Sequence, residues 1–480
     1  MNLAGLTALL PLLALIAAAL AVLVAAAVRR SKHAAAWISL VGLGASLASV
    51  FAVAGRSPMR PGELIVVDGY SLFFTALLVG TGLVVCLLSM SYWRGRRGRR
   101  EEYYLLLLTA TIGAVITVSS IHYVSLVLGI EILSVSFFVL VAYRRHSAAA
   151  LEAGMKYLVL AGASSAFLLF GVALIYSELG SLRFQDAVTA MAAGPGLVAA
   201  AGVGLFFVGV GFKMSLAPFH LWTPDVFQAA PAPVVAFIAT ASKGAVFALL
   251  LRYAPAVAFD RSGGLVAAAG MICVLSMVAG NFLALLQPSL RRLLAYSSIA
   301  HMGYLLVAFL AGGEDGAAAA GYYLVVYFLA TLGVFGVVVL RAGERGEADD
   351  LGDFRGLAFQ RPGLAAVMTI GMLSLAGLPL TGGFLGKFYL LRAGVSRGMF
   401  TLVGVLVGAS VVGLFYYLRV VAELFAAVPA GEQHSGRTGG VWRASEVALG
   451  VLTAALIFLG VYPGPMIGLI AAAIRGILGG

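Results

Sequence analysis

Apolar runs of about twenty residues follow one another along nearly the whole chain with short polar gaps, and a helix of that length spans the hydrocarbon core of a bilayer. About fourteen runs can be delimited: 3–28, 34–54, 70–91, 103–120, 122–142, 152–177, 196–219, 231–253, 264–287, 291–311, 316–340, 363–391, 398–425 and 445–474. Hydrophobic residues fill 62% of the 480 positions and charged residues only 11%. A water-soluble core cannot use that much apolar side chain, so membrane lipid is the solvent. The expected fold is an all-α polytopic membrane protein with about 14 transmembrane helices.

The net charge of +11 has a topological meaning. Its arginines gather in alternate loops, in "RRSK", "WRGRRGRR", "YRR", "QPSLRR" and the mixed-charge stretch 341–361. The positive-inside rule assigns these odd-numbered loops to the cytoplasm and both termini to the outside. Basic charge spent this way leaves no nucleic-acid surface. Residues 1–28 contain no Lys or Arg, and positives follow the apolar stretch, so the first run reads as a spanning helix and not a secretory signal. Cys86 and Cys273 lie far apart without a CxxC pattern, and no GxGxxG fingerprint is present. "GGFLGKF" lacks the first glycine and the Ser/Thr of a phosphate loop. Neither a nucleotide, a metal nor a redox cofactor is expected on this chain.

Cations are divided unevenly. The chain has 26 arginines and 5 lysines, and the arginines sit in loops or at helix ends, Arg419 excepted. Lys156, Lys213, Lys243 and Lys387 instead fall inside apolar runs. Arginine stays protonated in a protein, whereas a desolvated lysine can release its proton. Intramembrane charges cost a few kcal/mol each, so they imply a use. Lys156 follows Glu152 by four residues, and an ordinary helix pair explains it equally well. Glu131 is the one acid placed deep in a run, in "LVLGIEILSVSFFVL", where a lysine on another helix could pair with it and set its charge.

"GFKMSLAPFHLWTPD" (211–225) puts Lys213, Pro218, His220 and Pro224 at the end of one run. Proline frees backbone groups, which at membrane depth are tolerated only against protein or a hydrated cavity. The stretch therefore reads as a broken helix in a proton path, with His220 beside the break; a histidine at the membrane surface is the plainer reading of that residue. "LSLAGLP" (373–379) echoes "MSLAPF" (214–219) five helices later, hence in the opposite direction, as in inverted repeats. "SSIAHMGYLL" places Ser297 and His301 on one helix face, as an extension of the path or as a packing cluster. Tyr416, Tyr417 and Arg419 are expected to serve packing and the lipid edge.

Taken together, "KMSLAPFHLWTPDVFQAAPAPVVAFIATASKGAVFALLLR" is similar to the signature region of the subunit N family of bacterial respiratory complex I, the proton-pumping NADH–quinone oxidoreductase. "GIEILSVSFFVLVAY", "RRLLAYSSIAHMGYLLVA" and "MLSLAGLPLTGGFLGKFYLL" extend the resemblance over nearly the whole chain. Sister pumping subunits and Mrp-type cation/proton antiporter subunits share the proline-broken helix; "ATASKG", Lys387 and the short C-terminus favour subunit N. The resemblance implies two inverted repeats, helices 4–8 and 9–13, with helices 7 and 12 broken. It divides the chain into an N-terminal three-helix segment (1–101), a first repeat (102–253), a second repeat (254–427), and a cytoplasmic loop with the last helix (428–480). Glu131, Lys213, Lys243 and Lys387 would join the half-channels along a hydrated axis, with Lys156, His220 and His301 as further candidates. NADH, FMN, iron–sulfur clusters and quinone would belong to partner subunits in the bacterial cytoplasmic (inner) membrane. A Mrp-type antiporter subunit is the alternative reading.

Overall fold

A computed structural model of the chain describes residues 3–28, 30–96, 98, 100–194, 196–253, 263–345, 347–427 and 440–478. Among these residues the regular structure is helical, with only isolated β-bridges between loops. A short α1 (Leu3–Ala8) precedes the spans α2 (Leu10–Val28), α3 (Lys32–Ala54), α4 (Gly69–Tyr92), α5 (Glu101–Ser119), α6 (Tyr123–Val141) and α7 (Ala148–Leu179). Next come α8 (Phe184–Ala193), α9 (Leu197–Met214), α10 (Trp222–Ala229) and α11 (Ala232–Phe237). A π-helical turn, Ile238–Ser242, joins α11 to α12 (Lys243–Tyr253). The second half holds α13 (Gly263–Leu285), α14 (Leu290–Ala311) and α15 (Gly313–Arg345). A 3-10 turn (Leu351–Phe354) and α16 (Leu357–Gln360) lead to α17 (Pro362–Ala376), α18 (Gly382–Ser396), α19 (Phe400–Phe425), α20 (Gly440–Val461) and α21 (Gly464–Leu478).

Among the described residues thirteen stretches of helix are long and apolar enough to cross a membrane, and α17 with α18 completes a fourteenth across a break. The seventh span ends at Met214 instead of 219, because the chain leaves the helix before Pro218. The last one ends at Val461 instead of 474: Pro463 lacks the amide that would continue it, and α21 packs separately against α15 and α4. The mixed-charge stretch 341–361 holds two short helical turns, and α8 lies outside the apolar runs delimited in the sequence. The expected 428–444 loop lies outside the described residues over 428–439, as do the first residues of the expected second repeat, 254–262.

Side-chain oxygens of Ser31, Asp68, Ser147 and Ser289 accept from first-turn amides and start α3, α4, α7 and α14. Glycines let paired helices close: α5 meets α6 at Gly113 and Gly129, and α7 meets α9 at Gly171 and Gly202, with no room for a Cβ. α12, α14 and α15 are enclosed on nearly every side, while α2, α3, α7, α13, α19 and α20 turn most of their surface outward. The enclosed helices form the core of the bundle and carry Lys243 and His301.

Loops of equal parity meet. Ile65 bridges Ser120 and His122 bridges Arg183 at one end of the bundle, and Ser289 bridges Asp350 at the other. At the first end Asp68 accepts from both terminal nitrogens of Arg252, at 2.6 and 3.0 Å. Burial alone would raise the Asp68 carboxyl, but the Arg252 guanidinium holds it below the ordinary value of 3.8. The pair's contribution to stability is therefore complete above 3.8 and is lost only as pH falls through the lower folded value. Asp68→Ala strands a buried guanidinium, and breaking such a pair costs about 3–5 kcal/mol. A clearly lowered melting temperature of the detergent-solubilised protein at neutral pH is expected; an unchanged one would show that the pair is idle.

Candidate functional site

Two breaks interrupt the spans, and both expose backbone groups that find partners inside the protein. α9 ends at Ser215, which takes a left-handed conformation (φ 61°) with its amide on the Gly211 and Phe212 carbonyls. Beyond it, the Ala217 amide donates to Ser276 Oγ of α13 at 2.9 Å, and the Trp222 indole donates to the Phe212 carbonyl at 3.2 Å. At the second break Gly377 is left-handed (φ 83°), and the Gly383 amide donates to Ser374 Oγ at 3.1 Å. Among the described residues only two non-glycine residues adopt positive φ, Ser215 and Leu380, one in each break. Such backbone persists where surrounding structure enforces it, commonly at working sites. The echo seen in the sequence thus marks both breaks, although Ser374 is still helical where Ser215 is not.

The three buried lysines each rest on an oxygen that is not a carboxylate. Lys213, in the last turn of α9, donates to Ser134 Oγ of α6 at 2.6 Å. Lys243 is fully buried and donates to Ser298 Oγ of α14 at 2.6 Å; the Tyr327 hydroxyl donates to the same oxygen at 3.0 Å. It directly follows the π-helical turn, a distortion that often marks functional positions. Lys387 of α18 reaches back across the second break to the Ala376 carbonyl at 2.9 Å, one of the acceptors left open where α17 stops. His301 bonds a tyrosine at each ring nitrogen, Tyr323 at Nδ1 (2.6 Å) and Tyr417 at Nε2 (2.8 Å). It lies within electrostatic reach of both Lys243 and Lys387, and His220 within reach of Lys243.

Glu131 is held by Ser165 Oγ of α7 at 2.5 Å. It lies within electrostatic reach of Lys213, but the two make no direct ion pair, and Ser134, one turn further along α6, takes the ammonium instead. Lys156 stands apart: its half-exposed side chain pairs with Glu152 at 2.7 Å and Asp225 at 2.9 Å. His220 sits at the first break, with Nδ1 buried and unpartnered. Cys86 and Cys273 are buried and free.

Tyr416 and Tyr417 are packing residues as expected, but they do not lie at the lipid edge. Both are buried to within 1% of complete enclosure; Tyr417 joins His301 to Ser297, and Tyr416 donates to Asn281 of α13 at 3.0 Å. Arg419 is exposed, as expected of a lipid-edge residue. Sequence reasoning also missed Ser134, Ser165, Tyr323, Tyr327 and Asn281. Asn281 carried a signal, being an amide alone in an apolar run, and so did the helical spacing of Tyr323 and Tyr327.

The family described as NADH:quinone oxidoreductase/Mrp antiporter, TM, matches residues 120–413, which include both breaks and Glu131, Lys213, Lys243, His301 and Lys387. NADH-quinone oxidoreductase subunit N of Methylococcus capsulatus is 44% identical over 471 residues, covering 96% of this chain and 94% of that one. The subunit N of Ectopseudomonas mendocina is 43% identical over 472 residues, with 97% and 96% covered. Among solved structures, a chain of respiratory complex I from Thermus thermophilus with bound aureothin superposes with a TM-score of 0.82 at 33% identity, over 96% of this chain and 99% of that one. A chain of the archaeal membrane-bound sulfane sulfur reductase gives 0.88 at 25% identity, with 98% of both covered. A chain of the Mrp complex from Dietzia sp. gives 0.86 at 20% identity, over 99% and 98%, and shares the fold. At such identity over nearly its entire length, the chain belongs to the NADH-quinone oxidoreductase subunit N family.

Proposed function

We propose that this chain is the antiporter-like, proton-translocating membrane subunit of a bacterial NADH-quinone oxidoreductase, a multi-pass protein of the inner membrane with both termini outside. It works beside sister membrane subunits; NADH, FMN, iron–sulfur clusters and quinone are handled by partners. The two repeats, helices 4–8 and 9–13, supply the half-channels.

One observation carries the reading. The interior ionisable groups rest mainly on hydroxyls, whereas the ion pair between Asp68 and Arg252 sits at the membrane edge. A hydroxyl both donates and accepts, so it can receive a bond from an ammonium or give one to a neutral amine. Lys213 on Ser134 and Lys243 on Ser298 are therefore satisfied in both protonation states, and His301 between two tyrosines in either tautomer or as the imidazolium. A carboxylate partner would instead hold the lysine charged. Glu131 acts on Lys213 through space, so a change at Glu131 alters proton retention at Lys213, and Lys243, His301 and Lys387 pass the proton onward.

The test is to tag the chain in its native membrane, extract the complex in mild detergent and reconstitute it in vesicles. Flavin and iron–sulfur subunits with NADH–quinone reductase activity and proton translocation are expected. A cofactor-free set of membrane subunits would make it an antiporter instead. Within the complex, Glu131→Gln and Lys213→Ala should lower electron transfer and pumping together by about a hundredfold, the lower range for a proton-transferring group. Normal pumping in both would remove these residues from the path.

A further inference from the structure

α10 is an eight-residue helix with a particular place: His220 and the first break precede it, and Pro231, α11 and Lys243 follow. Its orientation fixes how the two lysine-bearing helices of the first half meet. What fixes α10 is a carboxylate from the second half. Glu347, two residues beyond α15, accepts from the Tyr92 hydroxyl, from Arg96 Nη1 at 2.9 Å and from Arg291 Nη1 at 3.1 Å, and it forms an ion pair with Arg144 Nη1 at 3.1 Å. Burial by itself would raise the Glu347 carboxyl, but Arg291 and Arg144 hold it below its ordinary value of 4.5, so it is ionised at working pH.

Two of these guanidinium groups use a second nitrogen on the end of α10. Arg144 Nη2 donates to the Ala229 carbonyl at 2.7 Å, and Arg291 Nη2 donates to the Ala230 carbonyl. Terminal carbonyls of a helix lack intrahelical donors and form its negative end, so cations suit them on both counts. The same segment holds α10 again through Asp349, which accepts from Gln228 Nε2 at 2.7 Å. On its other flank Asp225 binds Lys156 of α7 and Arg292 of α14, at 2.9 and 2.8 Å.

We propose that Glu347 is a positioning residue for proton transfer: by gathering Arg144 and Arg291 onto the C-terminus of α10, it sets the register in which His220 and Lys243 enter the path. The proposal rests on the proton-path reading above. With glutamine at 347, the three arginines face an amide that carries no charge and adds donors of its own, so Arg144 and Arg291 repel each other and leave the α10 carbonyls.

The experiment uses the whole complex with Glu347→Gln, Glu347→Asp and Lys213→Ala, reading proton-to-NADH ratio and amide hydrogen exchange. Glu347→Gln should speed exchange over 220–230 by about tenfold, as expected for loss of charge-assisted bonds, while 362–376 of α17 stays protected. Its proton-to-NADH ratio should fall severalfold, and Glu347→Asp, which keeps the charge, should recover part of both. Unchanged exchange over 220–230 overturns the strap, and faster exchange with a normal ratio overturns its role in transfer. Should Glu347→Gln fail to assemble, Arg144→Gln removes a single α10 bond from a partly exposed side chain, and unaltered exchange and ratio there are equally fatal. Normal pumping in Lys213→Ala would strike the proton-path reading, not the strap.

Discussion

Replacing Lys243 with alanine is expected to abolish most proton translocation and the coupled quinone reduction while leaving the complex assembled, with a loss of about a hundredfold, typical when a positioned proton carrier is removed. Lys243 is more enclosed than Lys213 or Lys387, on a helix surrounded by protein, and its ammonium meets Ser298 and lies 5.4 Å from the centre of the Phe227 ring. Its removal interrupts the line between His220 and His301 at the one residue within electrostatic reach of both. Lys243→Arg distinguishes a carrier from a fixed charge. Arginine keeps the charge and can still donate to Ser298, but it does not release its proton. If a static cation suffices, the arginine variant should pump nearly normally. If the group must load and unload, it should be as inactive as the alanine variant, although assembled. Proton uptake by vesicles during NADH oxidation, with native gels to confirm assembly, decides the matter.

The sequence exposes this site unevenly, and the reason is energetic. A lysine or glutamate in an apolar run costs kcal/mol, so Glu131, Lys213, Lys243 and Lys387 stand out without any structure. A serine or tyrosine in a spanning helix satisfies itself on its own helix or packs as an apolar ring. Ser134 donates to the Ile130 carbonyl one turn back, as Ser89 donates to Val85, and nothing in the sequence separates the serine that receives Lys213 from the one that does not. In the sequence Tyr416 and Tyr417 read, with Arg419, as residues of packing and the lipid edge. About 100° separates consecutive residues on a helix, so Tyr417 lies on nearly the opposite side of α19 from exposed Arg419 and meets α14, while Tyr416, nearer to Arg419 around the helix, is buried against Asn281 of α13. Glu347 was hidden differently: in a mixed-charge loop it reads as solvated, and only the packing of three separate segments around it reveals otherwise. Helix count and breaks were legible because apolar length and proline are local properties. Partnerships across the bundle are not local.

The second break permits an equally large effect from a single methyl group. Gly383, in the first turn of α18, lies so close to α17 that an added Cβ would overlap the Ser374 carbonyl. The obstacle is backbone, which cannot rotate away, so Gly383→Ala must push the two half-helices apart at a cost of about 3 kcal/mol. Gly383 and Lys387 are four residues apart and so share the face of α18 that meets α17. Separation there also loosens the Gly383 amide from Ser374 and lengthens the reach of Lys387 to the Ala376 carbonyl. The expected result is a lower melting temperature of the assembled complex together with loss of most proton translocation. Gly404→Ala supplies the comparison, since no atom stands within 4 Å of a Cβ at that position on α19, and it should pump and melt as the parent does. If Gly383→Ala melts early but pumps fully, the Lys387–Ala376 contact is dispensable and the path does not run through the second break. If both measurements match the parent, α17 and α18 are held less tightly than the contact at Ser374 requires.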